Sequence, residues 1–457
     1  VTKRALVLVI VLMSTFTFPL TITGASVALT DIADDLDAGL AATQWVVNGY
    51  NACFASFLVF AGSLADVLGR RRIYVAGLAL FVGGGIACTV AGNIVVLDVV
   101  RLIAGTGAAA AVTGGLAILT ETFHGAARTK AFGLVGTVLG IGLAFGPSIG
   151  GLLVDLLGWR AVFGAPAAVA ALVLALTPFL PAVPGTAGRR IDWAGAALFT
   201  GATMLLIFGL VEAGELGFGH PLVVGALLLA VVLAVVFPFV ERRRADPLFD
   251  LALLANRGFT SLAVAAGALV TILVPLLVYL PSYLIEVVGL GAGEAGLWLL
   301  MLTAPTVLFP TVGAALARRL PSSWFVAGAV AVSGAGAFLL MTMNASAGVL
   351  SLLVPLVLVG AGTGLTMGLL DGLAIGSVGP EHSGTAAGMF TTARLATETI
   401  AIAVVGAVLA SITGGKLSGE SYTDAFRIVC FALGCVGVLG TVSVAVLSRR
   451  REAVPVL

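Results

Sequence analysis

The chain is predicted to be an all-α integral membrane protein, and three observations carry that prediction. Of its 457 residues, 60% are hydrophobic and only 10% charged, against roughly 25% charged in a soluble domain, so there is too little polar surface to face water. The apolar residues gather into runs long enough to cross a bilayer, which takes ~20 residues. The basic residues fall between those runs, on alternate loops. A formal net charge of +1 offers nothing to a nucleic acid; the charges matter through their placement.

Fourteen runs meet the required length: 5–29, 44–64, 73–91, 95–119, 131–154, 160–180, 193–212, 221–240, 259–284, 294–316, 324–343, 348–375, 385–411 and 426–447. Lys3 and Arg4 ahead of the first run imitate a signal peptide. That run continues beyond a signal's apolar region and many similar runs follow, so it is read as the first span. The runs at 259–284 and 348–375 stand apart because each is long and carries prolines or an acid.

Direction comes from Gly62-Ser-Leu-Ala-Asp66-Val-Leu-Gly69-Arg70-Arg71-Arg72, a basic knot between spans 2 and 3. Three adjacent arginines resist translocation, so the knot is placed on the cytoplasmic face. Alternate loops then hold Lys3, Arg4; Arg70, Arg71, Arg72; Arg128, Lys130; Arg189, Arg190; Arg242, Arg243, Arg244, Arg257; Arg318, Arg319; and Arg449, Arg450, Arg451, which is 18 of the 23 basic residues. The opposite loops hold Asp31, Asp34, Asp35, Asp37, Glu212 and Glu215. An even number of spans puts both tails on the basic side, so both termini are expected in the cytoplasm of a multi-pass inner (plasma) membrane protein.

The chain also repeats itself. Ala104-Gly-Thr-Gly107 recurs as Ala361-Gly-Thr-Gly364, and Gly115-Leu-Ala-Ile118 as Gly372-Leu-Ala-Ile375, each 257 residues after its counterpart. Spans 4 and 12 become counterparts, and the knot has a faint echo at Ala315-Leu-Ala-Arg-Arg319. The expected organisation is an N-terminal six-helix bundle (1–180), two additional helices with linkers (181–257), a C-terminal six-helix bundle (258–447) and a tail (448–457). Duplicated bundles that rock against one another are a transporter arrangement. Cys53, Cys88, Cys430 and Cys435 all lie in apolar runs without a CxxC pair, and His124, His220 and His382 are scattered. They are read as buried small residues and membrane-edge residues, with no metal and no cofactor expected.

Three motifs then bear a family likeness. Gly62-x-Leu-Ala-Asp66-x-x-Gly69-Arg70-Arg71 resembles the signature of the major facilitator superfamily between its spans 2 and 3. Leu97-x-x-x-Arg101-x-x-x-Gly105-x-Gly107 resembles that superfamily's second motif, with Ala104 where glutamine is common. Gly142-x-x-x-Gly146-Pro147-x-x-Gly150-Gly151 resembles the antiporter motif of its drug exporters. Fourteen spans, Trp159-Arg160 and Gly384–Arg394 point to the fourteen-span drug:proton antiporter family. The resemblance implies a major facilitator fold, two six-helix bundles plus two extra helices. It further implies a proton-coupled efflux transporter acting by alternating access.

Each motif has its own physical reading. In the knot, glycines permit a tight turn, Asp66 can cap a helix end and the arginines clamp charge across the loop; in the family this cluster latches one conformation, the alternative being a plain topogenic loop. In span 5, Gly-Pro within small-residue spacing frees backbone groups and lets helices approach, which permits a sealing bend; ordinary small-residue packing is the alternative. Arg101 lies about two turns inside span 4, where an arginine costs at least ~2.5–3.5 kcal/mol. It is expected to face a cavity with Asp98 as its nearest sequence partner, rather than snorkel outward.

Arg394 and Glu398 share a face of span 13, and Asp371 in span 12 lies at a similar depth. Burial disfavours a carboxylate's charge while an adjacent arginine favours it. Glu398 or Asp371 is therefore the candidate proton carrier with Arg394 tuning it, the alternative being a permanent Arg394–Glu398 pair. One departure stands out: the family often carries an aspartate in span 1 where this chain has Thr21. That shifts expected coupling towards Asp98 or the C-terminal half and makes dicationic drugs poorer candidates. Gln44, Trp45, Asn48, Tyr50 and Asn51 on span 2, and Tyr279 and Tyr283 on span 9, are candidates for lining a substrate cavity.

The expected activity is export of small amphiphilic or hydrophobic compounds, drugs or antibiotics, in exchange for protons, by a functional monomer in the lipid bilayer. A dedicated exporter of one metabolite or self-made antibiotic is the alternative. A receptor or channel would lack the paired halves and the Gly-Pro motif. No nucleophile–base or metal set supports an enzyme.

Overall fold

In a computed structural model the described residues are 3–182, 192–244, 249, 251–346, 348–378, 383–414 and 419–452. Arg189 and Arg190 of one predicted basic loop, and His382, lie outside them, as do the side chains of Arg128, Arg449, Arg450 and Arg451. Among the described residues the structure is built of helices joined by short connections. The spans are α1 Lys3–Val27, α2 Leu40–Leu68, α3 Arg70–Thr89, α4 Ile94–Thr122, α5 Gly125–Leu157, α6 Ala161–Phe179, α7 Trp193–Leu216, α8 Pro221–Glu241, α9 Arg257–Glu286, α10 Ala292–Leu316, α11 Ser322–Thr342, α12 Val349–Ala374, α13 Ser383–Thr413 and α14 Gly419–Glu452. Thirteen are long and apolar enough to cross a membrane. α2 makes the fourteenth as a bent pair, Ala42–Leu58 and Phe60–Leu68, meeting at 50°.

The two unusual spans behave differently. α9 absorbs Pro275 and Pro281 as one continuous helix. α12 breaks at Met367–Gly368, where Gly368 takes φ +75°, and resumes as a short helix from Leu369 to Gly376 that carries Asp371.

The chain separates into two compact units, Val1–Leu248 and Phe249–Leu457. In the first, α3 packs on α4, α2 on α4, α1 on α5, α3 on α6 and α1 on α6. In the second, α11 packs on α12, α10 on α12, α9 on α13, α11 on α14 and α9 on α14. These are the same five pairings with every span number raised by eight, so the internal repeat is real at the level of the fold. Its register is not that of the repeated tetrapeptides. Gly107 faces α3, where a Cβ would sit 2.6 Å from the Phe81 backbone, and the glycine facing the counterpart helix α11 is Gly362, 2.7 Å from the Ser333 backbone. Gly362 is the sequence match of Gly105, which instead faces Tyr50 on α2.

α7 and α8 pack on each other, and α7 lies along α2 inside the first unit. The attachment is specific. Trp45 Nε1 donates to Glu212 Oε1 at 2.9 Å, Thr200 Oγ1 donates to the Ser56 carbonyl at 3.3 Å, and Phe60 and Trp193 rings lie 5.3 Å apart. α8 turns Leu228, Val232 and Phe239 outward, as a lipid-facing helix does. At the end of the unit remote from the knot, a short helix Leu29–Asp35 follows α1. Asp35 there accepts from Arg160 at 2.8 Å and Trp159 at 3.1 Å, which holds its carboxyl below the ordinary range. Burial, with Asp34 and Asp155 nearby, pushes Asp31 the other way.

The α1–α5 contact shows why span 5 is rich in glycine. Pro147 has no N–H, so the Leu143 carbonyl one turn earlier loses its helical partner; Thr23 Oγ1 of α1 lies 3.3 Å from that carbonyl and 3.1 Å from its own Pro19 carbonyl, and shares its one proton between them. Such an approach needs bare backbone. A Cβ at Gly150 would sit 2.6 Å from Gly24 Cα, and one at Gly142 would sit 2.7 Å from the Pro19 ring. Gly146 faces Thr23 itself, and Gly151 is buried beside them. Gly150→Val is expected to destabilise the protein by about 1–3 kcal/mol through overpacking. Gly136→Val on the same helix, where nothing lies within 4 Å, serves as the control. The measurement is thermal unfolding in detergent, and equal midpoints for the two variants would contradict this reading.

Candidate functional site

Each unit carries charged side chains within its spans. In the first, Arg101 is 1% exposed, two turns into α4. Its Nε donates to the Val46 carbonyl of α2 at 2.6 Å and its Nη1 to Thr21 Oγ1 of α1 at 3.5 Å. The guanidinium lies over the Tyr50 ring at 4.3 Å and the Phe163 ring of α6 at 5.2 Å. Cation–π contact of this kind offsets part of the desolvation cost when the site is dry. Four helices thus meet on one side chain. Arg101 does not pair with Asp98: among the described residues no carboxylate comes within 4.0 Å of it, its Nη2 is buried without an acceptor and Asp98 Oδ1 is buried without a donor. The side chain turns towards α2 and α1 instead, where aromatic faces and a carbonyl are available.

The polar stripe of α2 divides by direction. Gln44, Asn48 and Asn51 are spaced along one face and are 2%, 0% and 2% exposed. Both amide atoms of Asn48 are buried without a partner among the described residues. Trp45 points elsewhere, and its indole N–H bonds Glu212 of α7. At the knot, Gly69 takes φ +105° and serves as both the end of α2 and the start of α3. Arg70 lies 3.7 Å from Asp66 and also pairs with Glu121 at the far end of α4. Asp66 is therefore a charge partner of Arg70, with no side-chain cap at the α3 start. Arg71 is half-buried beside them, and Gly62 is loosely packed, with Thr113 at 3.9 Å.

In the second unit, Arg394 of α13 pairs with Asp371 of α12, Nη1 to Oδ2 at 3.3 Å and to Oδ1 at 3.5 Å. Glu398, one turn further along α13, is 6% exposed. No ion pair joins Arg394 to Glu398 among the described residues, so the expected alternative of a permanent i,i+4 pair is replaced by a bond across helices. The break in α12 makes this possible, because the short helix after Gly368 re-aims Asp371 at α13. The two tyrosines expected on a cavity wall are held in the packed interior of this unit. Tyr279 OH donates to the Ile402 carbonyl at 3.1 Å, Tyr283 OH bonds Thr423 at 3.1 Å, and both are at most 2% exposed. Their hydroxyls tie α9 to α13 and α14.

Sequence reasoning missed Tyr50 and Phe163 as the stacking partners of Arg101, and Thr23 as the partner of the proline-freed carbonyl. The second was within reach, since Pro147 obliges some neighbour to satisfy Leu143. Arg101→Lys keeps the charge but loses the flat fork held between two rings. It is expected to lower stability by about 1–3 kcal/mol, read as the thermal midpoint of the purified protein; an unchanged midpoint would contradict the assignment.

Comparison with known proteins bears on the family and the fold. Residues 11–402 match the Major Facilitator Superfamily profile. The multidrug resistance protein Stp of Mycobacterium tuberculosis is 33% identical over 395 residues, 84% of this chain and 72% of that one. The tetracenomycin C resistance and export protein of Streptomyces glaucescens is 31% identical over 84% of this chain and 72% of its own length. The puromycin resistance protein pur8 of Streptomyces alboniger is 30% identical over 98% of this chain and 92% of its own. A crystal structure of a POT peptide transporter in complex with alafosfalin aligns with TM-score 0.69 over 97% of this chain and 94% of that one, at 15% identity, which speaks to the fold alone. With duplicated six-helix units, the knot between α2 and α3 and relatives of this kind, the chain belongs to the major facilitator superfamily.

Proposed function

We propose that the chain is a proton-coupled exporter of small amphiphilic or hydrophobic compounds such as drugs or antibiotics. It works by alternating access in a bacterial plasma membrane with both termini in the cytoplasm. The relatives named for drug and antibiotic resistance support the export reading. The observation that carries the coupling is Glu398, a buried carboxyl one turn from an arginine already engaged by a second acid.

Arg394 has two carboxyls to choose between. With Glu398 protonated, Arg394 stays on Asp371 and the unit buries no unpaired charge. Loss of the proton leaves an ion in an apolar interior, which is costly unless the guanidinium moves to it. That movement would free Asp371 on its short, glycine-hinged helix. Exchange of one cation between two acids is a bistable element of the kind that couples proton release to a conformational step. In the first unit Thr21 stands where the family often has an acid, and this favours the second unit as the coupling site. Movement of one net charge at 100 mV supplies ~2.3 kcal/mol, about 50-fold accumulation.

A second reading, a dedicated exporter of one metabolite or self-made antibiotic, draws support from relatives named for single compounds. Susceptibility of a pump-deficient host to a broad panel separates the two, because a dedicated exporter protects against one chemical class only. For coupling, Glu398→Gln and Asp371→Asn are each expected to cut pH-gradient-driven uptake into inverted vesicles at least ~10-fold, as loss of a proton-transfer group does. Unimpaired uptake by both variants would remove the coupling proposal.

A further inference from the structure

α2 turns by 50° between its long arm, Ala42–Leu58, and its short arm, Phe60–Leu68. It carries no proline, and its break at Leu58–Phe60 holds no glycine. Sharp kinks arise at proline, at Gly/Ser pairs, at bulges, or where a side chain enters the i→i−4 ladder. Here a side chain enters. Thr200 Oγ1 of α7 donates to the Ser56 carbonyl at 3.3 Å, and in a regular helix that carbonyl serves the Phe60 N–H, across the break. Thr106, Thr113 and Thr203 donate to carbonyls of their own helices, as span threonines commonly do; Thr200 donates to a neighbour's. Contacts on both sides of the break complete the pattern. On the long arm Trp45 Nε1 donates to Glu212 Oε1 at 2.9 Å, and on the short arm the Phe60 ring lies 5.3 Å from the Trp193 ring. Among the described residues α2 is the one helix outside the hairpin on which α7 packs extensively.

We propose that α7 is a splint for α2 and that Thr200 is the positioning residue that sets its bend. The short arm leads into the knot, where Arg70 lies 3.7 Å from Asp66 and pairs with Glu121 at the end of α4. At 1.5 Å per residue the short arm is ~12 Å long, so straightening a 50° bend moves its tip by ~10 Å. The pair with Glu121 therefore forms only while the bend holds. Gly62 and Ser63, just beyond the break, let the helix flex, and the Thr200 hydroxyl selects the angle. The two spans that the internal repeat leaves over thus act on the helix that ends in the knot. The splint is independent of the export reading, since it concerns the geometry of the first unit alone.

The test is the distance between spin labels on Gly39→Cys and Leu68→Cys, at the two ends of α2, read by pulsed electron paramagnetic resonance on the full chain in lipid nanodiscs. A side chain at Gly39 meets nothing within 4 Å, and Leu68 is 49% exposed. Cys53, Cys88 and Cys430 are buried, and Cys435 is changed to alanine in every sample. Thr200→Val keeps the shape and removes the hydroxyl. It is expected to lengthen the mean distance by ~3 Å as α2 straightens, and Thr200→Ala to do the same. Thr200→Ser, which keeps the hydroxyl, is expected to retain the original distance. Thr203→Val, which loses a bond inside α7, is expected to leave it unchanged. An unaltered distance in both Thr200→Val and Thr200→Ala overturns the inference and assigns the bend to Gly62 and Ser63. Lengthening of the same size in Thr200→Ser or in Thr203→Val also overturns it, because the hydroxyl would then not be the cause. A chain that exports nothing loses the exporter reading, and the distances still judge the splint.

Discussion

The whole structure depends on one constraint: inside a bilayer no water is available, so each backbone group and each charge must be satisfied by the chain itself. The α1–α5 contact is an answer to it. Pro147 frees the Leu143 carbonyl, the Thr23 hydroxyl is shared between it and the Pro19 carbonyl, and the glycines at 24, 142, 146 and 150 let the two backbones come close enough. Arg101 is a second answer. A single buried cation draws a carbonyl from α2, a hydroxyl from α1 and ring faces from α2 and α6, and so fixes the mutual positions of four spans.

Duplication supplies the same scaffold twice, but the two copies have been loaded with different charges. The first unit has a cation with no acid in contact; the second has a cation with two acids within reach, Asp371 in contact and Glu398 one turn away. The packing pairs are conserved between units while the side chains at the deep positions are not. The hairpin α7–α8 is an addition to the first unit, fastened through Trp45 and Ser56 to the helix that carries the polar stripe.

The fold was legible in the sequence because it is written in one-dimensional signals. Apolar length marks the spans, and reading it needs no knowledge of neighbours. The prediction of paired halves held for span pairing, although the tetrapeptides that prompted it sit in a different register, Gly105 against α2 and Gly362 against α11. Abundant glycine makes such short matches common and their phase uninformative. Site geometry was less legible. An arginine's nearest sequence neighbour need not be its partner, as Asp98 and Glu398 both show, because long side chains choose among all packed helices. Tyrosines on one helical face are equally ambiguous: the Tyr279 and Tyr283 hydroxyls meet hydrogen-bond partners on α13 and α14.

The central claim is that a buried carboxyl in the second unit changes its proton when substrate binds. Infrared difference spectroscopy of the reconstituted chain, recorded on addition of an exported compound, reads that event directly through the carbonyl stretch of a protonated carboxylic acid. The account predicts a band that appears or disappears on binding and is absent from Glu398→Gln. A spectrum without a carboxyl band, or one whose band persists unchanged in Glu398→Gln, would contradict it.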